Sequence, residues 1–250
     1  MSISVDVKHV KDEAGNDQPV IVKPDEVLPV TRLLGYYASL VTVRLPISAN
    51  QVTFISMIIG LSGCGLFLKG EPIWNIYGGL LICVSYVLDY CDGVIPRVKG
   101  QSSPFGASFD DFVDWVIDTS FFAALGYGTW IADGEAWWFY LGLIAAAGST
   151  VDYGVDLVRA NRYVQARKAA EREAEAAAAP EGDQADENGD AGKAKTLGEK
   201  LFYIFHTVSR AEFCFIVLVL ATFDVVWVLL PFGAIGAQAF WLGDLFRKRD

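Results

Sequence analysis

Asp89 and Asp92 lie three residues apart, Asp110 and Asp114 four apart, and each pair borders a long apolar run. On helices these spacings put each pair on one face, so two helices joined by a short connection would bring the four carboxylates together. Carboxylates so close cannot all stay ionised unless a cation neutralises them, and an all-oxygen donor set selects a hard divalent ion such as Mg2+ or Mn2+. The stretch therefore reads as a site for one or two metal ions, with Asp89, Asp92, Asp110 and Asp114 as ligands. Such ions neutralise phosphate oxygens, and Arg97, about a turn beyond Asp92, adds a fork of donors for the same anion. Gly93 and Gly106 let a bulky ligand approach the backbone closely.

The elements that must position these acids are apolar. Trp74 to Leu88 and Phe112 to Ile131 each read as a membrane span, and the acids lie where the two spans reach one water-facing surface. A charge at membrane depth is expensive and is by default functional. The chain of 250 residues is 53% hydrophobic, with a mean hydropathy of +0.33. Together with the length of the apolar runs, this places it among polytopic membrane proteins. The expected fold is all-α, a bundle of six transmembrane helices. Their spans are about Val52 to Leu68, Ile73 to Pro96, Asp110 to Ala132, Ala136 to Leu157, Leu201 to Phe223 and Val225 to Phe246. The net charge is −10, much of the acid lies in one tail and one insert, and nothing points to nucleic acid as a partner.

Around the spans, residues 1–24 read as a flexible polar tail and residues 25–50 as an amphipathic helix. That helix suits the membrane interface, and packing on its own protein fits the pattern equally; both put it beside the acid-bearing face. Residues 51–250 form the six-span domain, broken by an Ala-, Glu- and Gly-rich loop at about 165–200 whose composition predicts disorder on the cytoplasmic side. Ser48 or Asn50 caps the first span. Asp111, about 100° around the helix from Asp110, reads as a charge partner for the helix N-terminus. Asp152 and Asp156 either extend the polar site, meet headgroup water or pair with Arg159. His206 reads as a packed or interfacial histidine. Cys64, Cys83, Cys91 and Cys214 lack paired spacing, so no disulfide is indicated.

The stretch from Asp89 to Asp114 resembles the signature of the CDP-alcohol phosphotransferase family, D-x2-D-G-x2-A-R-x8-G-x3-D-x3-D. Every position agrees except Pro96, which stands where the family usually has Ala; proline there removes a backbone donor and can kink the helix end. The resemblance implies displacement of CMP from a CDP-linked lipid donor by an alcohol acceptor, usually in phospholipid synthesis. Asp114 would take the proton from the attacking hydroxyl. It also implies contacts to the CDP moiety from Gly93, Arg97 and Gly106, with Ser103 at the phosphates. Ile47 to Thr53 is similar to the family's Pro-Asn-x-x-Thr entry, shifted because Pro46 is not adjacent to Asn50, and there Thr53 would help hold the phosphates. Arg210 either faces a cavity, binding a second phosphate or the acceptor, or is an interfacial basic residue. The wording around Leu88 leans toward inositol phosphate as acceptor, with glycerol phosphate next. Membrane lipids surround such an enzyme, and a homodimer is a common assembly in the family.

Orientation follows from charge. With both termini inside, nineteen of the 20 Lys and Arg residues fall on the inner side, leaving Lys69 outside. The acids and both termini are then cytoplasmic. A divalent-cation transporter is the rival reading, since intramembrane carboxylates also carry ions. A cation path gains nothing from Arg97.

Overall fold

The computed structural model describes residues 7–11, 17–24, 30–100, 103–177 and 212–246. Its helices are α1 Val30–Thr42, α2 Ala49–Phe67, α3 Pro72–Lys99, α4 Pro104–Asp133, α5 Trp137–Ala177, α6 Phe213–Thr222 and α7 Leu229–Phe246, with one 3-10 turn at Val226–Val228.

Local chemistry explains the boundaries. Ser48 caps α2 in a reciprocal box with Gln51: the Gln51 N–H donates to Ser48 Oγ at 3.3 Å and the Ser48 N–H to Gln51 Oε1 at 2.9 Å. Pro72 and Pro104 begin α3 and α4, where a missing N–H costs nothing. Gly100, at φ 63°, ends α3 with its N–H on the Pro96 carbonyl, and Gly134, at φ 83°, ends α4 with its N–H 2.7 Å from the Trp130 carbonyl.

Three expectations need correction. Part of the tail expected to be flexible forms a β-hairpin: β1 Val7–Lys11 pairs antiparallel with β2 Asp17–Ile21 and lies against α3. Valines in both segments and Ile21 in the second favour the strand, and the packing on α3 supplies what two strands alone lack. The loop expected at about 165–200 begins as helix, because α5 runs on to Ala177 through alanines and long charged residues of high helix propensity. Finally, α4 starts at Pro104 and not at Asp110, so Asp111 is not in its first turn; Ser103 and Pro104 set an earlier start.

Among the described residues, three helices are long and apolar enough to cross a membrane: Ala49–Phe67, Pro72–Lys99 and Trp137–Asn161. These helices, with large apolar side chains such as Phe54, Ile58, Tyr77, Leu80 and Ile144 facing outward, mark a membrane protein. The count of six is not reached by this measure. Asp110, Asp111, Asp114 and Asp118 interrupt the first half of α4, and α6 is described over 10 residues, about 15 Å of helix.

The core runs through Phe67, Ile82, Phe121, Leu125, Val217 and Leu230, with Phe67 and Phe121 edge-to-face at 5.2 Å. Helix α2 packs against both α3 and α4, while α3 and α4 hardly approach each other backbone to backbone. A gap between the two acid-bearing helices is thus built into the bundle. A second, smaller cluster of Val52, Cys91 and Ile95 seats the entry of α2 on the acid-bearing end of α3. Helix α1 buries its small face, Thr31, Gly35, Ser39 and Thr42, and exposes Leu34, Tyr37 and Val41. That polarity is the reverse of a helix on a water-soluble protein and fits the bilayer surface.

Candidate active site between two helices

Asp89 and Asp92 stand toward the end of α3, and Asp110 and Asp114 in the second and third turns of α4. Oxygens of Asp89, Asp92 and Asp110 all lie within 4.8 Å of one another. Asp92 is buried at 6% exposure, and Asp89 and Asp110 are half-buried. Like charges packed this closely repel strongly where water is scarce.

Two details test whether a cation fits. The donors are all carboxylate oxygens, the set that hard divalent ions prefer. Asp110 Oδ1 is buried and, among the described residues, accepts no hydrogen bond. A buried carboxylate oxygen without a donor is costly unless something electropositive faces it. The three acids therefore fit a divalent ion. Asp92 is oriented from outside the group: the Thr53 hydroxyl of α2 donates to Asp92 Oδ2, with the Ala49 carbonyl oxygen as a second acceptor at 3.1 Å.

The other residues singled out from the sequence are distributed around this group. Asp114, one turn beyond Asp110, is exposed and outside the three-acid set. Arg97 is exposed in the last turn of α3, just past Pro96. A Cβ at Gly93 would meet nothing within 4 Å, leaving open space beside the acids. One at Gly106 would stand 3.2 Å from Asn50 Oδ1 and 3.2 Å from Ser103 Oγ, a tight fit against two side-chain atoms. Ser103 caps α4, its Oγ accepting from the Gly106 N–H at 3.0 Å. Asp156 lies 3.8 Å from Arg159 in a surface ion pair, of little energetic weight. The cysteines are free and buried. Arg210 and His206 lie outside the described residues.

Two residues escaped the sequence reading. Asp118, half-buried, accepts from the Tyr86 hydroxyl at 3.4 Å; the i, i+4 series of Asp110 and Asp114 continues to it, one turn past the end of the motif. Lys99 Nζ donates to the carbonyls of Leu45 and Ile47, and no spacing in the sequence announces that pairing.

Fold and site together define a class: a helical membrane protein with a carboxylate cluster suited to a hard divalent cation between two of its helices. The sequence profile of the CDP-alcohol phosphatidyltransferase family matches residues 46–229, and the chain belongs to that family. It is 30% identical over 114 residues to the bifunctional IPC transferase and DIPP synthase of Thermococcus kodakarensis, covering 45% of this chain and 25% of that protein. The protein of the same description from Rubrobacter xylanophilus is 36% identical over 89 residues, 35% of this chain and 20% of the relative. The phosphatidylinositol phosphate synthase of Corynebacterium glutamicum is 31% identical over 113 residues, 43% of this chain and 44% of that protein. The matches thus span less than half the length of each of these relatives. Among solved structures, Mycobacterium tuberculosis phosphatidylinositol phosphate synthase aligns in its apo form over 84% of this chain and 95% of that chain, at 21% identity and a TM-score of 0.47. The same protein with CDP-DAG bound aligns over 86% and 94%, at 21% identity and a TM-score of 0.48.

Proposed function

We propose that the protein transfers a phosphatidyl group from a CDP-linked lipid to an alcohol acceptor and releases CMP. The observation that carries this reading is the group of Asp89, Asp92 and Asp110, with oxygens within 4.8 Å of one another, in a chain of this family. In the reaction the acceptor oxygen bonds to the lipid-side phosphorus of the pyrophosphate, and the bond from that phosphorus to the bridging oxygen breaks. CMP leaves with that oxygen.

Mg2+ or Mn2+ held by Asp89, Asp92 and Asp110 would supply neutralisation of the pyrophosphate and of the charge developing on CMP. Arg97 adds a planar fork of donors for phosphate oxygens from the exposed last turn of α3. Asp114, exposed and one turn from Asp110, takes the proton of the attacking hydroxyl. The Thr53 hydroxyl orients Asp92 beside the pyrophosphate. The open space at Gly93 leaves room for the pyrophosphate. The family match and the inward acids favour this reading over a cation transporter, which has no use for Arg97.

Inositol phosphate is the favoured acceptor, supported by the wording around Leu88 and by the name of the Corynebacterium glutamicum relative. The acids and both termini face the cytoplasm by the distribution of Lys and Arg. The test is CMP release by purified protein in liposomes with Mg2+ or Mn2+, CDP-diacylglycerol and a panel of alcohols, with D92A as blank. Metal-dependent release with one alcohol is expected. Donor binding without release for any alcohol would overturn the acceptor assignment, and absence of both donor binding and release would overturn the transferase reading.

A further inference from the structure

We infer that Lys99 is a positioning residue for the acid cluster: it fixes the connection between α1 and α2 so that Thr53 meets Asp92. The inference rests on the metal-site reading above, not on the identity of the acceptor.

The connection after Thr42 is irregular, and Pro46 within it has no N–H to offer. Carbonyls in such a segment need donors from elsewhere. Lys99 Nζ supplies two, to the Leu45 carbonyl at 3.0 Å and to the Ile47 carbonyl at 3.0 Å. An ammonium with three rotatable hydrogens suits two acceptors at once.

What makes this more than a surface tie is where Lys99 stands. Asp92 and Lys99 are seven residues apart on α3, which returns them to the same face about 10 Å apart. One face of α3 therefore grips the entry of α2 twice, at the connection through Lys99 and inside the helix through Asp92 and Thr53. Between the grips the chain has little freedom. Ile47 is followed at once by the Ser48–Gln51 capping box, and Ile47 and Ala49 pack on Val52, Cys91 and Ile95. Releasing the connection would leave its carbonyls to water at modest cost, so the bundle would survive. The register of the first turns of α2, and with it the Thr53–Asp92 hydrogen bond, would loosen.

The test compares wild type, K99M, K99R, T53V and the K99M/T53V double variant by Mn2+ affinity, read from the magnetic resonance signal of free Mn2+, and by metal-free thermal unfolding. K99M is expected to weaken Mn2+ binding about tenfold, as for other residues that orient metal ligands, with metal-free unfolding unchanged. K99R should recover to within about threefold, since guanidinium also offers several donors. In the T53V background K99M should add little, because both act through the same hydrogen bond. Wild-type Mn2+ affinity in K99M would overturn the inference. So would an equal loss in both backgrounds, or a loss accompanied by a lower metal-free unfolding temperature that K99R does not restore. Wild-type protein that binds Mn2+ but releases no CMP would sink the proposed reaction instead, leaving these comparisons intact.

Discussion

The Thr53 hydroxyl of α2 donates to the Asp92 carboxylate of α3, so a helix without a single acid of its own orients one of the three clustered carboxylates. Removing that donor leaves a buried carboxylate oxygen with one partner fewer. T53V should weaken Mn2+ affinity about tenfold, equivalent to about 1.4 kcal/mol, while T53S, which keeps the hydroxyl, stays near wild type. Titration of Mn2+ against each variant checks this; equal affinity in T53V and wild type would show that Asp92 needs no outside support.

Crowded like charges predict opposite effects with and without metal. In metal-free protein, D110N relieves part of the repulsion among Asp89, Asp92 and Asp110, so its thermal unfolding temperature should match or exceed that of wild type. Mg2+ at a hundred times its dissociation constant stabilises wild type by about 2.7 kcal/mol, and D110N should lose that gain. A metal-dependent rise in unfolding temperature as large in D110N as in wild type would exclude Asp110 from the ligand set.

Asp114 and Arg97 are both exposed but are assigned to different substrates. D114N should abolish CMP release, by at least about a hundredfold for loss of a general base, with affinity for the CDP-lipid retained. R97A should weaken donor binding by about tenfold, in keeping with loss of a charge-assisted phosphate contact. Donor binding by equilibrium dialysis, alongside initial rates, separates the two. Turnover surviving in D114N would remove the base assignment, and unchanged donor affinity in R97A would move the phosphate clamp elsewhere.

Pro96 sits inside α3 and has no N–H for the Asp92 carbonyl one turn back, yet the helix continues to Lys99. P96A restores the donor. It should raise stability by about 1 kcal/mol, less than the full cost of an interior proline because the site is in the last two turns, and should keep CMP release within about threefold of wild type. Thermal unfolding in detergent measures the first and initial rates the second. A fall in stability would mean that the stiffened backbone contributes more than the missing hydrogen bond costs.

The sequence alone determined the helical membrane class, many of the helix boundaries and the four motif acids from which the cluster is drawn. Those properties are local or periodic: a run of apolar residues, a Pro or Gly at a helix end, and acids at i, i+3 and i, i+4 act through neighbours a turn away. It misjudged the start of α4, where Ser103 and Pro104 outweighed the nearer acids, and the tail, where the hairpin leans on α3. Alternatives it left open were decided locally as well: Ser48, not Asn50, caps α2, and Asp156 pairs with Arg159.

Only the tertiary structure decided which of the four motif acids converge and what holds them. Oxygens of Asp89, Asp92 and Asp110 come within 4.8 Å of one another across α3 and α4, both of which pack on α2, while Asp114 is exposed and outside that group. The Thr53–Asp92 and Lys99–Ile47 hydrogen bonds join residues 39 and 52 positions apart, and the Tyr86–Asp118 bond residues 32 apart. Hydrogen bonds between distant side chains depend on how helices pack, and helix packing leaves no period in the sequence from which such partners could be read.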